Sequence, residues 1–182
     1  FKAVICCTDS QVYGKVARRY GAEVIFRPKT ISGPRSPDIA WVRHALEMLS
    51  RQGREFDAFS ILRPTSPFRL PSTIQRAWKT FCRPPRGDSL RAVQLCRQHP
   101  AKMWRLGGPF LRPFGSGWGQ KKKNFPEHSL PYAALPPVFA QDASLEIAWT
   151  SVPLRQGTIA GKKVKPFFSR KWEGFDLNEP AD

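Results

Sequence analysis

The stretch Asp57–Leu70, DAFSILRPTSPFRL, decides the fold. Ala58 to Leu62 is a short, almost wholly apolar run bounded by charge, the pattern of a strand covered on both faces. Arg63, Pro64, Thr65, Ser66, Pro67 and Arg69 come directly after it. They bring prolines that fix the path, two hydroxyls, and two guanidinium groups just beyond the strand's carboxyl end. In an open parallel sheet ligands sit at that end, because loops leaving neighbouring strands diverge there and open a crevice. An ordinary basic surface loop has the same composition, and residue types alone leave both readings open.

Upstream of this stretch, Ala3 to Cys7 reads as a strand, with Thr8, Asp9 and Ser10 offering oxygens for a helix start. Val12, Val16, Ala17 and Tyr20 recur on what the spacing predicts to be the buried face of that helix, and Gly21 ends it. Ala22 to Phe26 is a second short strand or extended edge. Ser36, Pro37 and Asp38 predict a helix opening with a capping hydroxyl, proline at the first helical position and an acid at the positive end. Ile39, Val42, Leu46 and Leu49 supply its apolar stripe and Gly53 closes it. His44 and Glu47, three apart on this helix, can face one way, and the spacing reads as a helix-surface interaction ahead of a metal pair. Downstream, Ser72 is expected to cap a helix with Ile74, Ala77, Trp78 and Phe81 inward, and Ser89 to Cys96 resumes as a strand. Strands alternating with helices predict an α/β sheet with parallel neighbours.

The second half changes character. Lys102–Leu106 and Phe110–Phe114 read as two extended pieces around Gly107-Gly108-Pro109, and the proline argues against an ideal two-residue hairpin. Residues 115–130 read as loop, Val138–Trp149 as a long strand broken near Asp142, Val152–Gln156 as one helical turn, and Gly161–Phe168 as an extended basic segment. The proline- and glycine-rich middle, with aromatic residues at intervals, is either an arm that buries itself against a partner subunit or plain loop. Residues 1–182 are expected to form one incomplete domain, with 99–140 as the dimerisation arm or subdomain.

The 182 residues carry a net charge of +16, from 30 basic and 14 acidic residues. That excess points toward an anionic partner, whether nucleic acid, an acidic surface or a phosphorylated small molecule, without choosing among them. Lys121-Lys122-Lys123 after the Gly-rich 115–119 reads as a solvated loop. Cys6, Cys7, Cys82 and Cys96 form no CxxC pair and read as reduced, mostly buried thiols of a cytoplasmic protein. No run reaches the roughly 18 apolar residues that span a membrane. Phe1 leads almost directly into a strand, which reads as a fragment cut close to that strand.

Phosphate-loop (GxxxxGK[ST]), GxGxxG and GxSxG patterns are absent. His99 has no nearby acid in sequence to orient it. Asp176 and Asn178 are separated by one residue and can face the same side of an extended segment. They form either a Mg²⁺ site completed by water and substrate phosphate or a chance acidic tail with Glu179 and Asp182.

Several segments together resemble the acylneuraminate cytidylyltransferase family, which activates sialic acid and related sugar acids as CMP derivatives. Val4-Ile5-Cys6-Cys7-Thr8-Asp9 looks like its strand ending in Ser/Thr-Asp, and Tyr20–Val24 with Phe26-Arg27-Pro28 like its YGAEV and F-R-R/P segments. Ser36-Pro37 and His44-Ala45-Leu46 match the next segments of the family pattern. Leu62–Arg69, LRPTSPFR, resembles the LQPTSPLR signature. Asp88-Ser89, His99 through Lys102 to Met103, and Asp176–Asp182 complete a series that runs nearly end to end.

The resemblance implies a nucleotide-diphospho-sugar transferase-like fold: a mixed, mostly parallel sheet with flanking helices and a protruding dimerisation segment. It implies transfer of CMP from CTP to an acylneuraminate-like sugar acid with release of pyrophosphate, with Mg²⁺ as cofactor and a homodimer as the assembly. Asp176 and Asn178 match the family's catalytic metal-binding pair. Arg63, Thr65, Ser66, Arg69, Lys102 and Gln141 stand at positions that the resemblance assigns to substrate binding, Lys102 in a segment that projects toward the partner subunit. Four departures accompany it. The Pro-Ala-Arg-Gly-Gly-Ser-Lys-Gly-like nucleotide loop has no counterpart, so this span is expected to be inactive alone. Arg63 replaces the signature glutamine, Asn178 replaces an acid, and Gln141–Glu146 replaces the usual Asn-Gly-Ala pattern. A noncatalytic relative that binds anions or nucleic acid is the alternative that the charge favours.

Overall fold

The computed structural model describes residues 1–115 and 125–177. Strands β1 (Ile5–Thr8) and β2 (Glu23–Phe26) pair in parallel as a two-stranded sheet around helix α1 (Gln11–Arg19). Helix α2 (Asp38–Arg51) leads to β3 (Ala58–Ile61), α3 (Pro71–Cys82) and β4 (Ser89–Leu95). A hairpin of β5 (Trp104–Gly107) and β6 (Phe110–Pro113) precedes β7 (Phe139–Trp149), α4 (Ser151–Gln156) and β8 (Val164–Phe168). The main sheet has the order β3-β7-β4-β8. Because β7 runs antiparallel to both β3 and β4 while β8 is parallel to β4, three strands share one direction and β7 opposes them.

Strand alternation divides the two faces of this sheet. Leu90, Ala92, Leu145, Ile147 and Phe167 pack with Ala77 and Phe81 of α3 into the core. Phe81 stacks at 4.6 Å on Trp149, whose indole donates to the Gly87 carbonyl at 2.9 Å. Arg91 and Glu146, each beside a core residue in sequence, point to the opposite face and pair across the β4–β7 ladder. α2 and α4 pack together, burying Val42, Leu49 and Val152.

Local chemistry explains most element ends. The Ser10 hydroxyl accepts the Tyr13 amide at the start of α1. Gly53 closes α2 with φ +73°, where the Arg54 amide reaches back to the Leu49 carbonyl. Two expected caps are corrected: Pro37 and Leu70 occupy the cap positions of α2 and α3 without a side-chain cap, so Ser36 and Ser72 do not serve. Pro71 instead opens α3, its missing N–H costing nothing in the first turn.

The expected buried face of α1 is also corrected. Val12, Val16 and Tyr20 are all more than half exposed. The helix approaches its sheet through Gly14, where an added Cβ would lie 3.1 Å from the Phe26 ring and 3.3 Å from Val24. Close approach at a glycine outweighs the apolar periodicity. Trp78 is 44% exposed, and β3 lies at the edge of the main sheet with only Ile61 buried. Cys6, Cys7 and Cys96 are half-buried free thiols, but Cys82 is exposed. Burial pushes the Cys7 thiol above its ordinary pKa, despite the opposing charge of Arg27.

The two extended pieces of the arm do form a hairpin joined by Gly108-Pro109, with Gly108 at φ +72°. Its Leu106, Phe110 and Leu111 are exposed. The expected break in 138–149 is present as a register shift: Arg91 faces Glu146 whereas Val93 faces Gln141, so β7 bulges through Asp142–Leu145. Ala143 takes the left-handed conformation there, φ 58°. The Lys121–Lys123 run and residues 178–182 lie outside the described residues. No helix among the described residues is long and apolar enough to cross a membrane.

Candidate functional site

The loop 63–69 leaves β3 and turns at once, the Ser66 amide meeting the Arg63 carbonyl at 3.3 Å. The guanidinium of Arg63 turns inward. It donates to Asp38 Oδ2 at 2.5 Å and lies 3.3 Å from Glu146 Oε1, while Arg91 binds the other oxygen of Glu146. Asp38, at the first turn of α2, also accepts the Trp41 indole N–H at 2.9 Å. Two acids and two arginines thus form one network, with the Glu146 side chain only 4% exposed at its centre.

Arg69 fastens the same loop to the β7 bulge. One Nη donates to the Ser144 carbonyl and the other to the Arg63 carbonyl at 3.1 Å. Burial pulls both Arg69 and Arg91 below the ordinary guanidinium pKa. Within the bulge, Asp142 Oδ1 accepts the Ser144 amide at 3.0 Å and hydroxyl at 2.8 Å, a local turn that fixes the carboxylate.

Burial opposes ionisation of Asp38, but hydrogen bonds from Arg63 and Trp41 and the charges of Arg63 and Arg91 hold its carboxyl below the usual range. A depressed folded-state pKa contributes stability that is complete above the unfolded value, about pH 4, and is lost as pH falls through the folded value. Urea midpoints of wild type and Asp38→Asn measured from neutral pH downward are therefore expected to differ most near neutrality and converge in acid. Parallel curves would contradict this assignment.

A carboxyl-terminal strap, residues 169–177, crosses the sheet end and joins the loop through the Leu177 amide and the Thr65 carbonyl, 2.8 Å apart. Beside this bond, three side-chain oxygens are buried with no hydrogen-bond partner among the described residues: Ser66 Oγ, Asp142 Oδ2 and Asp176 Oδ1. A cavity of about 480 Å³ lies against the strap, lined by Gln94, Arg97, Lys171, Trp172 and Asp176 among others. A buried carboxylate oxygen with no donor is costly unless a cation or a donating ligand satisfies it. The Asp176 carboxylate thus fits one oxygen ligand of a Mg²⁺ ion, which typically takes one or two protein carboxylates and fills its remaining positions with water and phosphate. Among the described residues no group of three or more His, Cys, Asp or Glu is arranged to hold a metal ion.

The residues singled out from sequence divide accordingly. Arg63, Thr65, Ser66, Arg69 and Asp176 come together, with Arg63 committed to internal carboxylates. Gln141 is exposed at the start of the bulge. Lys102 is held within its own chain, donating to the His128 carbonyl at 2.7 Å and to that of Leu130, with Tyr132 beneath its ammonium. His99 is buried, accepting the Ala101 amide on Nδ1 and placing Nε2 2.9 Å from the Pro136 carbonyl, which fixes Nε2 as the protonated nitrogen. His44 meets the Phe26 carbonyl at 3.1 Å. Asn178 lies outside the described residues. Sequence reasoning misses Asp38, Arg91, Asp142 and Glu146; single charges inside the apolar runs Ser89–Val93 and Ser144–Trp149 are the signal that could find two of them.

No family model matches the chain. Over 81 residues, 44% of the chain, it is 35% identical to the N-acylneuraminate cytidylyltransferase of Escherichia coli O18:K1:H7, and that stretch spans 18% of the relative. It is 24% identical to the post-translational flagellin modification protein B of Campylobacter coli across the whole chain and 74% of the relative. The CMP-N,N'-diacetyllegionaminic acid synthase of Legionella pneumophila is 25% identical over 98% of the chain and 74% of its own length. The structure of CMP:2-keto-3-deoxy-manno-octonic acid synthetase complexed with CTP superposes with a TM-score of 0.56, at 9% identity, over 92% of this chain and 72% of that one. The resemblance to acylneuraminate cytidylyltransferases is borne out by these relatives, and the superposition bears out the mixed α/β fold.

Proposed function

We propose that this chain, whose relatives include an acylneuraminate cytidylyltransferase and a CMP-sugar-acid synthase, is a CTP-using cytidylyltransferase acting on an acylneuraminate-like sugar acid. In this reaction a hydroxyl oxygen of the sugar acid bonds to the α-phosphorus of CTP. The bond from that phosphorus to the α,β-bridging oxygen breaks, pyrophosphate leaves with its electron pair, and the hydroxyl proton passes to solvent or a neighbouring base. The observation that carries this reading is the buried Oδ1 of Asp176, which has no hydrogen-bond partner among the described residues and is held by the Leu177–Thr65 bond against the loop 63–69. Asp176, with Asn178, would hold Mg²⁺, which when bound neutralises phosphate charge as it develops.

The chain's own residues supply the frame. Arg69 ties the loop to the β7 bulge, and in this reading Thr65 and Ser66, on the loop joined to the strap by the Leu177–Thr65 backbone bond, are the residues offered to the sugar. Arg63 acts through Asp38 and Glu146, fixing the root of that loop rather than meeting substrate. The exposed apolar side chains of the β5–β6 hairpin support a homodimer through the 99–140 arm, and the sugar-nucleotide reading carries with it a cytoplasmic location.

One observation favours a second reading, noncatalytic anion or nucleic-acid binding. A cavity of about 920 Å³ at the other end of the main sheet, where β4 and β8 begin, is lined by Arg86, Lys162 and Lys163 with Trp149 and Ser151. Binding measurements separate the two. The cytidylyltransferase reading predicts saturable CTP binding that requires Mg²⁺ and outlasts competition by duplex or single-stranded nucleic acid. Nucleic-acid affinity that falls steeply with salt, with no saturation by CTP, would reverse the choice.

A further inference from the structure

After β8 the chain turns back on itself, the Glu173 amide bonding to the Arg170 carbonyl and the Phe175 amide to the Trp172 carbonyl, each at 3.0 Å. Lys171 takes φ 50° inside this turn, a conformation that a side-chain-bearing residue adopts only when its surroundings hold it there. Glu173 supplies the hold. Its carboxylate accepts the Thr73 hydroxyl at 2.6 Å, the Arg170 amide at 2.7 Å and a guanidinium N–H of Arg76. Arg76 in turn donates to the Phe168 carbonyl at 3.2 Å and lies 4.2 Å over the Phe167 ring, so it spans the end of β8 and the strap together.

The place of this latch matters. Thr73 is 2% exposed in the first turn of α3, and that turn has no acidic residue of its own. Helix amino termini favour a negative charge, and here it arrives from a residue one hundred positions away. The loop 63–69 runs directly into the same turn. Loop and strap are therefore anchored to one helix end, and the Leu177–Thr65 bond joins them again just beyond Asp176. Phe175 packs edge-on against Phe68 at 5.6 Å, a further tie between strap and loop. At Gly174 the strap passes close to the side-chain ends of Gln94 and Asp142, since a Cβ there would lie 2.0 Å from Gln94 Nε2 and 2.3 Å from Asp142 Oδ2.

We infer that Glu173 is a positioning residue for Asp176: its latch onto Thr73 and Arg76 sets the distance between the Asp176 carboxylate and the loop 63–69. The consequence for cation and substrate binding rests on the cytidylyltransferase reading, whereas the latch itself does not. Neutralising or shortening Glu173 releases the strap while the core beneath, which does not contain it, stays intact.

Amide hydrogen exchange on the full-length protein tests the latch directly. Glu173→Ala is expected to raise exchange across 170–177 about tenfold or more, as the loss of a charge-assisted contact implies, with 58–61 and 139–149 unchanged. Glu173→Gln loses the charge and keeps one acceptor oxygen where the carboxylate offers separate oxygens to Thr73 and to the Arg170 amide, so it should fall between. Gly174→Ala should loosen the same peptides without altering charge. Glu23→Ala, which breaks the bidentate Arg54–Glu23 pair elsewhere, should leave the strap untouched. Strap exchange in Glu173→Ala equal to wild type overturns the latch. In a pyrophosphate-release assay the same variant should raise the half-saturating Mg²⁺ concentration while 58–61 and 139–149 stay protected, with partial rescue by Glu173→Gln. A loosened strap with unaltered Mg²⁺ dependence overturns the positioning role. Silence of every protein in that assay, wild type included, refutes the cytidylyltransferase reading, and the exchange data then still decide the latch.

Discussion

Glu146→Ala is expected to cost about 3–5 kcal/mol of folding stability, the range for removing one partner from a buried ion pair. Glu146 lies between two guanidinium groups, and they do not lose equally. Arg63 keeps Asp38 at 2.5 Å, whereas Arg91, its side chain 13% exposed, is left with no carboxylate at ion-pair distance among the described residues. Most of the loss is the cost of that stranded charge. Against a typical total of about 5–15 kcal/mol such a loss is large, and it is read as a shift of the urea midpoint. The converse is expected as well. Replacing Arg63, Asp38, Glu146 and Arg91 together by apolar residues of similar volume should restore most of the stability, because desolvation of the four charges is removed along with their attraction. A Glu146→Ala variant within about 1 kcal/mol of wild type, the scale of an exposed pair, would show that the network carries little of the fold.

Asp176→Asn separates function from stability in the opposite direction. The substitution keeps the size and one oxygen of the side chain and removes the charge. Pyrophosphate release is expected to fall by about a hundredfold or more, the scale on which losing one electrostatic stabiliser acts in an active site. Stability should be unchanged or should rise, since a buried carboxylate oxygen without a donor is unfavourable in the folded protein and an amide tolerates that place better. Retained activity would remove Asp176 from the site. A variant that unfolds would instead show that the carboxylate is structural.

The sequence makes some of this architecture visible and hides the rest for identifiable reasons. The run Ala58–Leu62 and the break at Arg63-Pro64 announce a strand and a ligand-side loop because both signals are local. Gly53 and the bend near Asp142 are legible for the same reason. The buried face of α1 is not, because periodicity ranks the apolar side chains Val12, Val16 and Tyr20 above a glycine. The helix nevertheless approaches its sheet through Gly14, where the missing side chain admits the Phe26 ring. The caps expected at Ser36 and Ser72 fail because each serine sits beside a proline whose fixed backbone sets the helix start itself. Arg63 reads as an anion ligand because its partners, Asp38 and Glu146, are 25 and 83 residues away. No local pattern announces a charge that will be neutralised across a sheet. Glu173 is invisible for the same reason, its contacts to Thr73 and Arg76 being 100 and 97 residues distant.

These long-range contacts share one logic. Loop 63–69, the β7 bulge and the strap are three segments that would each be irregular alone. Arg69 ties the loop to the bulge, Glu146 ties the bulge to β4 and Glu173 ties the strap to α3, which is how a rigid scaffold presents a site built on loops. The oxygens of Ser66, Asp142 and Asp176 that have no partner among the described residues sit inside that frame.

The most direct test is pyrophosphate release by the complete gene product, supplied with CTP, Mg²⁺ and a panel of sugar acids that includes N-acetylneuraminate. The cytidylyltransferase reading predicts release that requires both CTP and a sugar acid, that discriminates among the acids, and that falls in Asp176→Asn. A folded protein that releases no pyrophosphate with any member of the panel would contradict it.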